Sequence, residues 1–160
     1  MQLRAGATPE AIRLLTRVEE ERPRPAGACN GQRFEDFRDL DDLTSCVLEV
    51  LTVNGQYYWV PLARIESLDF HEPARPRDLL WRRAHLVIRD GPDIEMFCPV
   101  LYAGSAAEPD DLLRLGRSTD WRGGDEAPVR GVGQRTFLVG EEARPILEIQ
   151  ALAFDPPPPS

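Results

Sequence analysis

The chain contains no lysine, since all nineteen of its basic residues are arginine. A Walker-type phosphate loop, a Schiff base, a pyridoxal phosphate site and the protein-kinase apparatus each require a lysine amine. The sequence therefore excludes these four kinds of chemistry. Genomic base composition is the simplest explanation of the bias and carries no functional meaning.

The few cysteines, the short apolar runs and the negative net charge also limit which classes of protein fit the sequence. Cys29, Cys46 and Cys98 are far apart and match no metal or redox spacing, which favours a reduced, intracellular compartment. No apolar run approaches the roughly 20 residues of a membrane span, and no secretory signal follows Met1. The net charge of −8 does not suit a nucleic-acid platform. We expect a cytoplasmic protein with neither a nucleic-acid nor a membrane partner.

No catalytic, cofactor or metal site is predicted. His71 and His85 lie on different predicted strands, without cysteines or carboxylates at ligand spacing, so a structural role is the better interpretation of each. Asp110 and Asp111 are adjacent and point in different directions on a helix. One alternative stays open, a small enzyme or ligand-binding domain with a pocket near His85, Asp110 and Arg114.

Residues 8–21 are predicted to form an N-terminal helix. Thr8 is a suitable N-cap, Pro9 suits the first helical position, and Leu15 belongs to a partial apolar stripe. That stripe has to pack on the following domain, on a partner or on further helices. Residues 22–33 are rich in proline and glycine and are predicted to be a linker.

The strongest local signal is the dipeptide Asn54-Gly55, which favours a two-residue β-hairpin turn. Such a turn pairs Leu51 with Tyr58 and Val50 with Trp59. Both faces of the hairpin then carry large apolar groups, so we expect both to be covered. Packing within the sheet is favoured over a binding platform for the aromatic residues 57–59.

Further strand patterns complete the predicted fold. They cover residues 64–71, 82–89, 94–100, 134–139 and 146–154, with a short helix from Pro109 and a polar, glycine-rich segment at 122–133. The sequence therefore predicts an α+β fold with a mostly antiparallel, twisted or barrel-like sheet, an N-terminal helix and short helices.

A basic stretch surrounds Trp81 and contains Arg75, Arg77, Arg82 and Arg83. It is either a solvated loop rim whose tryptophan packs into the core, or a docking surface for an acidic partner. Arginine and tryptophan are enriched in interface hot spots, and a basic patch is unusual in so acidic a chain.

Five strings of sequence together resemble one protein family. They are residues 54–65, 77–85, 102–105, 113–121 and 133–135, from NGQYYWVPLARI to GQR. In this order they are similar to the C-terminal part of the ImpE family, also called SciE or TagJ. These are accessory proteins of bacterial type VI secretion systems.

The resemblance implies a virulence-associated, non-enzymatic role in protein–protein interaction. The implied partners are the small subunit of the contractile sheath and the AAA+ ATPase that recycles it. It also implies that residues 1–22 hold the last helix of an N-terminal helical-repeat region. Residues 23–155 would be the ImpE-like α+β domain and residues 156–160 a proline tail. The chain would then be a piece of a longer protein or a short variant.

The residues expected to bind the partner are Trp81, Arg82, Arg83, Leu15 and Tyr58. A further alternative is a structural oligomerisation domain, in which an edge strand pairs across a two-fold axis.

Overall fold

The structure, a computed structural model, describes residues 8–124 and 127–157 and is built around a large β-sheet. Eight strands form this sheet, two strands form a ribbon, and three strands form a small sheet. In chain order the elements are α1 (Thr8–Glu21), β1 (Gly27–Cys29), β2 (Gln32–Phe34), β3 (Phe37–Asp39), β4 (Val47–Thr52), β5 (Tyr57–Pro61), β6 (Ile65–Phe70), β7 (Trp81–Ile88), β8 (Asp93–Pro99), α2 (Asp111–Arg114), β9 (Thr119–Gly124), β10 (Ala127–Gly133), β11 (Thr136–Val139), β12 (Glu142–Pro145) and β13 (Ala151–Phe154).

The strand order of the large sheet is β2-β1-β13-β6-β7-β8-β4-β5. The ribbon pairs β9 with β10, and the small sheet has the order β12-β11-β3. Each pair of neighbouring strands among the described residues is antiparallel. The predicted α+β class with a mostly antiparallel sheet is confirmed. The sheet is not a closed barrel, because β2 and β5 remain as its two edges.

One face of the large sheet forms the core. Leu152 lies opposite Leu68, Leu68 opposite Leu86, and Leu86 opposite Ile94, so the four side chains cross four strands in one row. The three leucines are at most 2% exposed. Burial of this kind stabilises the fold by roughly 1.5–3 kcal/mol for each fully buried aliphatic side chain.

Four phenylalanines form a cluster in the core, Phe37 and Phe137 from the small sheet and Phe34 and Phe154 from the large one. Phe37 of β3 stacks on Phe137 of β11 with ring centroids 5.0 Å apart, and its ring meets the edge of Phe154 at 5.4 Å. Phe34 contacts Phe154 in the same edge-on manner at 5.8 Å. These contacts join the small sheet to β13 of the large one.

The linker predicted at residues 22–33 is wrong, because most of it forms a β-hairpin. Cys29 pairs with Gln32 across a two-residue turn at Asn30-Gly31, in which φ is 50° and 81°. Two positive φ angles are what a type I′ turn requires. The side chain of Asn30 also accepts a hydrogen bond from the N–H of Gln150 at 2.7 Å, which ties the turn to β13.

The hairpin at Asn54-Gly55 forms, but the predicted register is wrong by one residue. Val50 lies opposite Tyr58 rather than Trp59. A shift of one residue exchanges the faces, so Tyr58 joins the core side and Trp59 the opposite side. The expected cover on both faces is also wrong, since residues 57, 58 and 59 are 51%, 48% and 48% exposed.

The turn itself explains this shift. The N–H of Gly55 donates to the carbonyl of Thr52 at 2.9 Å, and the N–H of Thr52 donates to the carbonyl of Gln56 at 2.8 Å. The loop therefore has three residues, and Gly55 alone in it takes a positive φ, of 80°. Three-residue hairpin loops of this kind consist of a type I turn followed by one residue in the left-handed conformation.

The polar, glycine-rich segment contributes residues 122–124 to strand β9 and residues 127–133 to strand β10 of the ribbon. The short helix begins later than Pro109, because Asp110 is its N-cap and accepts a hydrogen bond from the N–H of Leu112 at 2.8 Å. Pro156 and Pro157 of the tail are exposed, and residues 158–160 lie outside the described part of the chain.

A buried ionic network joins three distant segments. Asp39 is fully buried and accepts hydrogen bonds from Arg135 Nη1 at 2.5 Å, the Tyr102 hydroxyl at 2.7 Å, the Thr44 hydroxyl at 2.8 Å and the N–H of Asp41 at 3.0 Å. Burial raises the pKa of Asp39, whereas the Arg135 guanidinium and the other donors lower it.

The same arginine fills a break in the large sheet. Strands β4 and β8 pair at two positions, and Leu51 with Phe97 is the last before the pairing ends. Two positions further along, Glu49 would lie opposite Pro99, which has no N–H to continue the ladder. Arg135 bridges this gap, because its Nε donates to the Pro99 carbonyl at 3.2 Å and its Nη2 to the Glu49 carboxylate.

Helix α1 packs against strand β10 with one face. Ile12 and Leu15 are half-buried and line a cavity of about 550 Å³ together with Pro128. Leu14 and Val18 point away from this contact and are 50% and 43% exposed. Of the three alternatives for the apolar stripe, the structure shows packing of Leu15 toward the following domain, while Leu14 and Val18 stay uncovered.

Ion pairs hold the C-terminal end of α1. Glu19 accepts hydrogen bonds from Arg22 Nε at 2.8 Å and from Arg38 Nη1 of β3 at 2.5 Å. Arg22 in turn binds both oxygens of Asp36, at 2.6 and 2.5 Å. Burial raises the pKa of Glu19, but the two arginines outweigh it and hold that pKa below its ordinary value.

Replacing Arg135 with methionine is expected to destabilise the fold strongly. The variant leaves Asp39 buried without its cation, which costs about 3–5 kcal/mol in the free energy of unfolding. Urea denaturation measures this loss. Arg33→Met is the matched control, because it removes an exposed Arg–Asp pair with Asp155 and should leave the unfolding transition nearly unchanged. Equal effects of the two variants would contradict the role of the buried network.

Two leucines of α1 test its docking. Leu15→Asp places a charge against β10 and should weaken the docking of the helix by about 1–3 kcal/mol, whereas Leu14→Asp changes an exposed position. Hydrogen exchange of the α1 amides should accelerate in the first variant alone, with the sheet still protected. Similar exchange in both variants would show that the Leu15 face does not hold the helix.

Candidate functional site

The three predicted docking residues on β7 do not share one surface. Side chains alternate along a strand, so Trp81 and Arg83 point to the face of the large sheet opposite the core, and Arg82 points into the core. We call that opposite side the outer face. Trp81 is 42% exposed, whereas Arg82 is 1% exposed.

Arg82 therefore does not belong to an exposed docking surface, and the prediction is corrected here. Its Nη1 donates to the carbonyls of Ile146 and Ile149 at 2.5 and 2.6 Å, and its guanidinium lies 4.6 Å from the centre of the Phe70 ring. Burial lowers the pKa of Arg82. Arg82 therefore stabilises the turn before β13 through these hydrogen bonds. Its side chain points into the core because side chains alternate between the two faces along β7.

The segment between β6 and β7 forms a basic cavity on the outer face. Asp78 fixes the segment by accepting hydrogen bonds from the N–H groups of Ala74 and Arg75 at 3.0 and 2.9 Å, and these bonds lower its pKa. We call the cavity of about 310 Å³ the arginine cavity. Its lining consists of His71, Glu72, Ala74, Arg75, Arg77, Asp78, Arg83 and Phe97.

Apolar side chains are exposed directly beside this cavity. Leu79, Leu80 and Trp81 follow Asp78 in the chain and are 42%, 37% and 42% exposed. We call these three residues the Leu79–Trp81 patch. Neighbouring apolar residues with a charged rim are typical of protein-binding surfaces.

Both histidines of the chain contact the same carboxylate. His71 Nε2 lies 3.1 Å from Glu95 Oε2, and His85 Nδ1 lies 3.3 Å from Glu95 Oε1. Arg83 Nε also donates to Glu95, at 2.7 Å, and its hydrogen bond lowers the pKa of that carboxyl against the opposing effect of burial. Each histidine thus has a partner on the outer face, as the structural interpretation predicts.

The alternative site near His85, Asp110 and Arg114 is not assembled. His85 contacts Asp93 at 2.8 Å on the outer face, Asp110 caps α2, and Arg114 pairs with the neighbouring Asp111. The three residues thus bind different partners. His85 lines none of the cavities described here.

A third cavity opens beside the edge strand β5 and contains Tyr58. It has a volume of about 790 Å³ and is lined mainly by apolar side chains. Tyr58 lies on its wall with Val60 of the same strand and Ile88 and Ile94 of the neighbouring hairpin. The predicted partner residue Tyr58 is therefore available, on a surface separate from the Leu79–Trp81 patch.

The buried thiol of Cys98 is not suited to nucleophilic chemistry. Burial raises the pKa of the Cys98 thiol to about 12, which suppresses its nucleophilic form at neutral pH. Within residues 8–124 and 127–157 there is no cluster of three or more metal-ligating side chains. No helix in the same ranges combines the length and hydropathy that a membrane span requires.

The sequence analysis missed Leu79, Leu80 and Phe97 as parts of the surface. Leu79 and Leu80 adjoin Trp81 directly, so the run Leu-Leu-Trp after a proline-rich loop was the available signal. Phe97 lies opposite Arg83 on the next strand, which only the register of β7 and β8 reveals.

Comparisons with known proteins agree with this structure. The sequence profile described as ImpE protein matches residues 31–153. The type VI secretion system accessory component TagJ of Pseudomonas aeruginosa is 34% identical over 134 residues, which cover 84% of this chain and 46% of TagJ. The crystal structure of protein VPA1032 from Vibrio parahaemolyticus has a TM-score of 0.82 and 30% identity, covering 89% of this chain and 53% of VPA1032.

The chain spans about half the length of these two relatives. The profile match covers most of the chain, from the Asn30-Gly31 turn to β13, and includes the arginine cavity and the edge strand β5. The resemblance inferred from the five sequence strings is confirmed. This chain belongs to the ImpE family.

Proposed function

We propose that this chain is a non-enzymatic adaptor of a bacterial type VI secretion system, which acts in the cytoplasm by binding another protein of that machine. The observation that carries the proposal is the Leu79–Trp81 patch beside the arginine cavity. Exposed apolar side chains next to arginines form a surface suited to a protein rather than to a small substrate.

The name of a relative supports the same proposal. TagJ is called a type VI secretion system accessory component, and this chain matches 46% of its length. We propose the small subunit of the sheath and the AAA+ ATPase that recycles the sheath as the partners to be tested. Trp81 and Arg83 would contact the partner on the outer face, whereas the exposed side of α1 and Tyr58 would offer separate contact surfaces.

The free edge of β5 favours a second candidate function, self-association. Thr52 donates to the carbonyl of Gln56, and Leu62 donates to that of Cys46, so the residues at even positions of β5 direct their backbone groups toward β4. Tyr57 and Trp59 therefore direct theirs to the open side, where they can pair with a strand of a second copy.

A pull-down tests the adaptor proposal. The 160-residue chain is expected to retain the sheath subunit or the ATPase when each is offered separately. Trp81→Ala should reduce retention at least tenfold, because a tryptophan hot spot is worth about 2 kcal/mol or more. Leu112→Ala, at an exposed position on α2, is the control. Retention of neither partner by the folded chain would contradict the proposal for this part of the protein.

Light scattering tests self-association. If β5 pairs between copies, the molar mass should rise with concentration toward that of a dimer. Trp59→Pro removes an outward N–H group and should return the chain to a monomer. A wild-type chain that stays monomeric at all concentrations would rule out this candidate function.

A further inference from the structure

We propose that the arginine cavity binds a carboxylate side chain of an acidic segment in a partner protein, whose apolar residues cover the Leu79–Trp81 patch. The inference rests on the proposed function for the identity of the partner. The chemistry of the bound segment is argued from the cavity itself.

The cations of the cavity keep donors available. Within residues 8–124 and 127–157 the side chain of Arg75 forms no ion pair, and the Nε of Arg77 lies 3.7 Å from Asp78 Oδ1, beyond hydrogen-bond distance. Arg83 uses its Nε for Glu95, so its two terminal nitrogens remain for a ligand. A guanidinium offers five N–H donors in a planar fork that matches both oxygens of a carboxylate.

Most of the negative charge at the cavity is already engaged. Asp78 accepts two backbone N–H groups within its own loop, and Glu95 beside the cavity is shared by His71 and Arg83. The lining holds three arginines against two carboxylates, Glu72 and Asp78, so its balance of charge favours an added anion. In a chain with a net charge of −8, this local excess of donors selects an acidic ligand by charge complementarity.

The neighbouring patch identifies the ligand as a peptide segment rather than a free anion. A volume of about 310 Å³ suits one or two side chains. A small anion would leave Leu79, Leu80 and Trp81 exposed, whereas a peptide with apolar residues beside its carboxylate covers them. A nucleic acid is disfavoured, because its many phosphates would meet a chain with a net charge of −8, whereas a peptide can place one carboxylate in the cavity.

A peptide titration tests the inference on the full chain. The probe is a fluorescein-labelled peptide in which glutamate alternates with leucine, and binding is followed by fluorescence anisotropy. A peptide with glutamine in place of glutamate is the uncharged comparison. The glutamate peptide should bind at least about tenfold more tightly, and added salt should weaken it.

Paired variants locate the site. Arg75→Gln with Arg77→Gln should weaken the glutamate peptide about tenfold or more, while lysine at both positions should restore binding in part, since lysine keeps the charge but not the fork. The control is Arg24→Gln with Arg117→Gln, which removes the same charge from exposed positions elsewhere and should leave binding unchanged.

Three results would overturn the inference. They are equal binding of both peptides, equal losses in the test and control pairs, and displacement of the peptide by an oligonucleotide of the same net charge. A different result would contradict the adaptor proposal. In that case the chain would bind the glutamate peptide but would retain neither type VI partner. Retention of those partners without any peptide binding would overturn the inference alone.

Discussion

The rest of the structure depends on the buried contact between Arg135 and Asp39. The two residues are 96 positions apart in the chain, and their contact brings the small sheet, the segment after β8 and the turn after β3 together at one point. Two charges removed from water are costly unless their hydrogen bonds are satisfied. Here Asp39 has four donors, and Arg135 also reaches Glu49 and the Pro99 carbonyl, so the guanidinium replaces the backbone ladder where proline interrupts it.

The two faces of the large sheet differ in exposure. The core side of the large sheet is covered by the phenylalanine cluster and contains Arg82, while the outer face keeps Trp81 and Arg83 toward solvent. Neighbouring arginines on one strand therefore have opposite roles, which follow from the two-residue period of the strand. A surface built in this way can change its side chains without disturbing the interior, since the residues that hold the core lie at the alternate positions.

Local signals in the sequence predicted local structure well. The helix at residues 8–21 and the hairpin of β7 and β8 follow from capping, periodicity and turn residues, all of which act within a few positions. The burial of Arg82 could have been derived from its alternation with Ala84 and Leu86. The pairing of Asp39 with Arg135 could not, because no local pattern encodes a contact between distant segments. The register of the Asn54-Gly55 hairpin was predicted wrongly for another reason. Two kinds of hairpin turn accept this dipeptide, and their loops differ in length by one residue.

The two edges of the large sheet are unequal, and this difference sets how copies of the chain can assemble. Strand β2 has three residues, and strand β5 has five, with Pro61 at its end. Growth of an open filament needs two edges that each accept a strand, whereas pairing of β5 with its own copy consumes the edge on both molecules. If β5 paired with its own copy, the assembly would close at two molecules and would leave the outer face of each exposed.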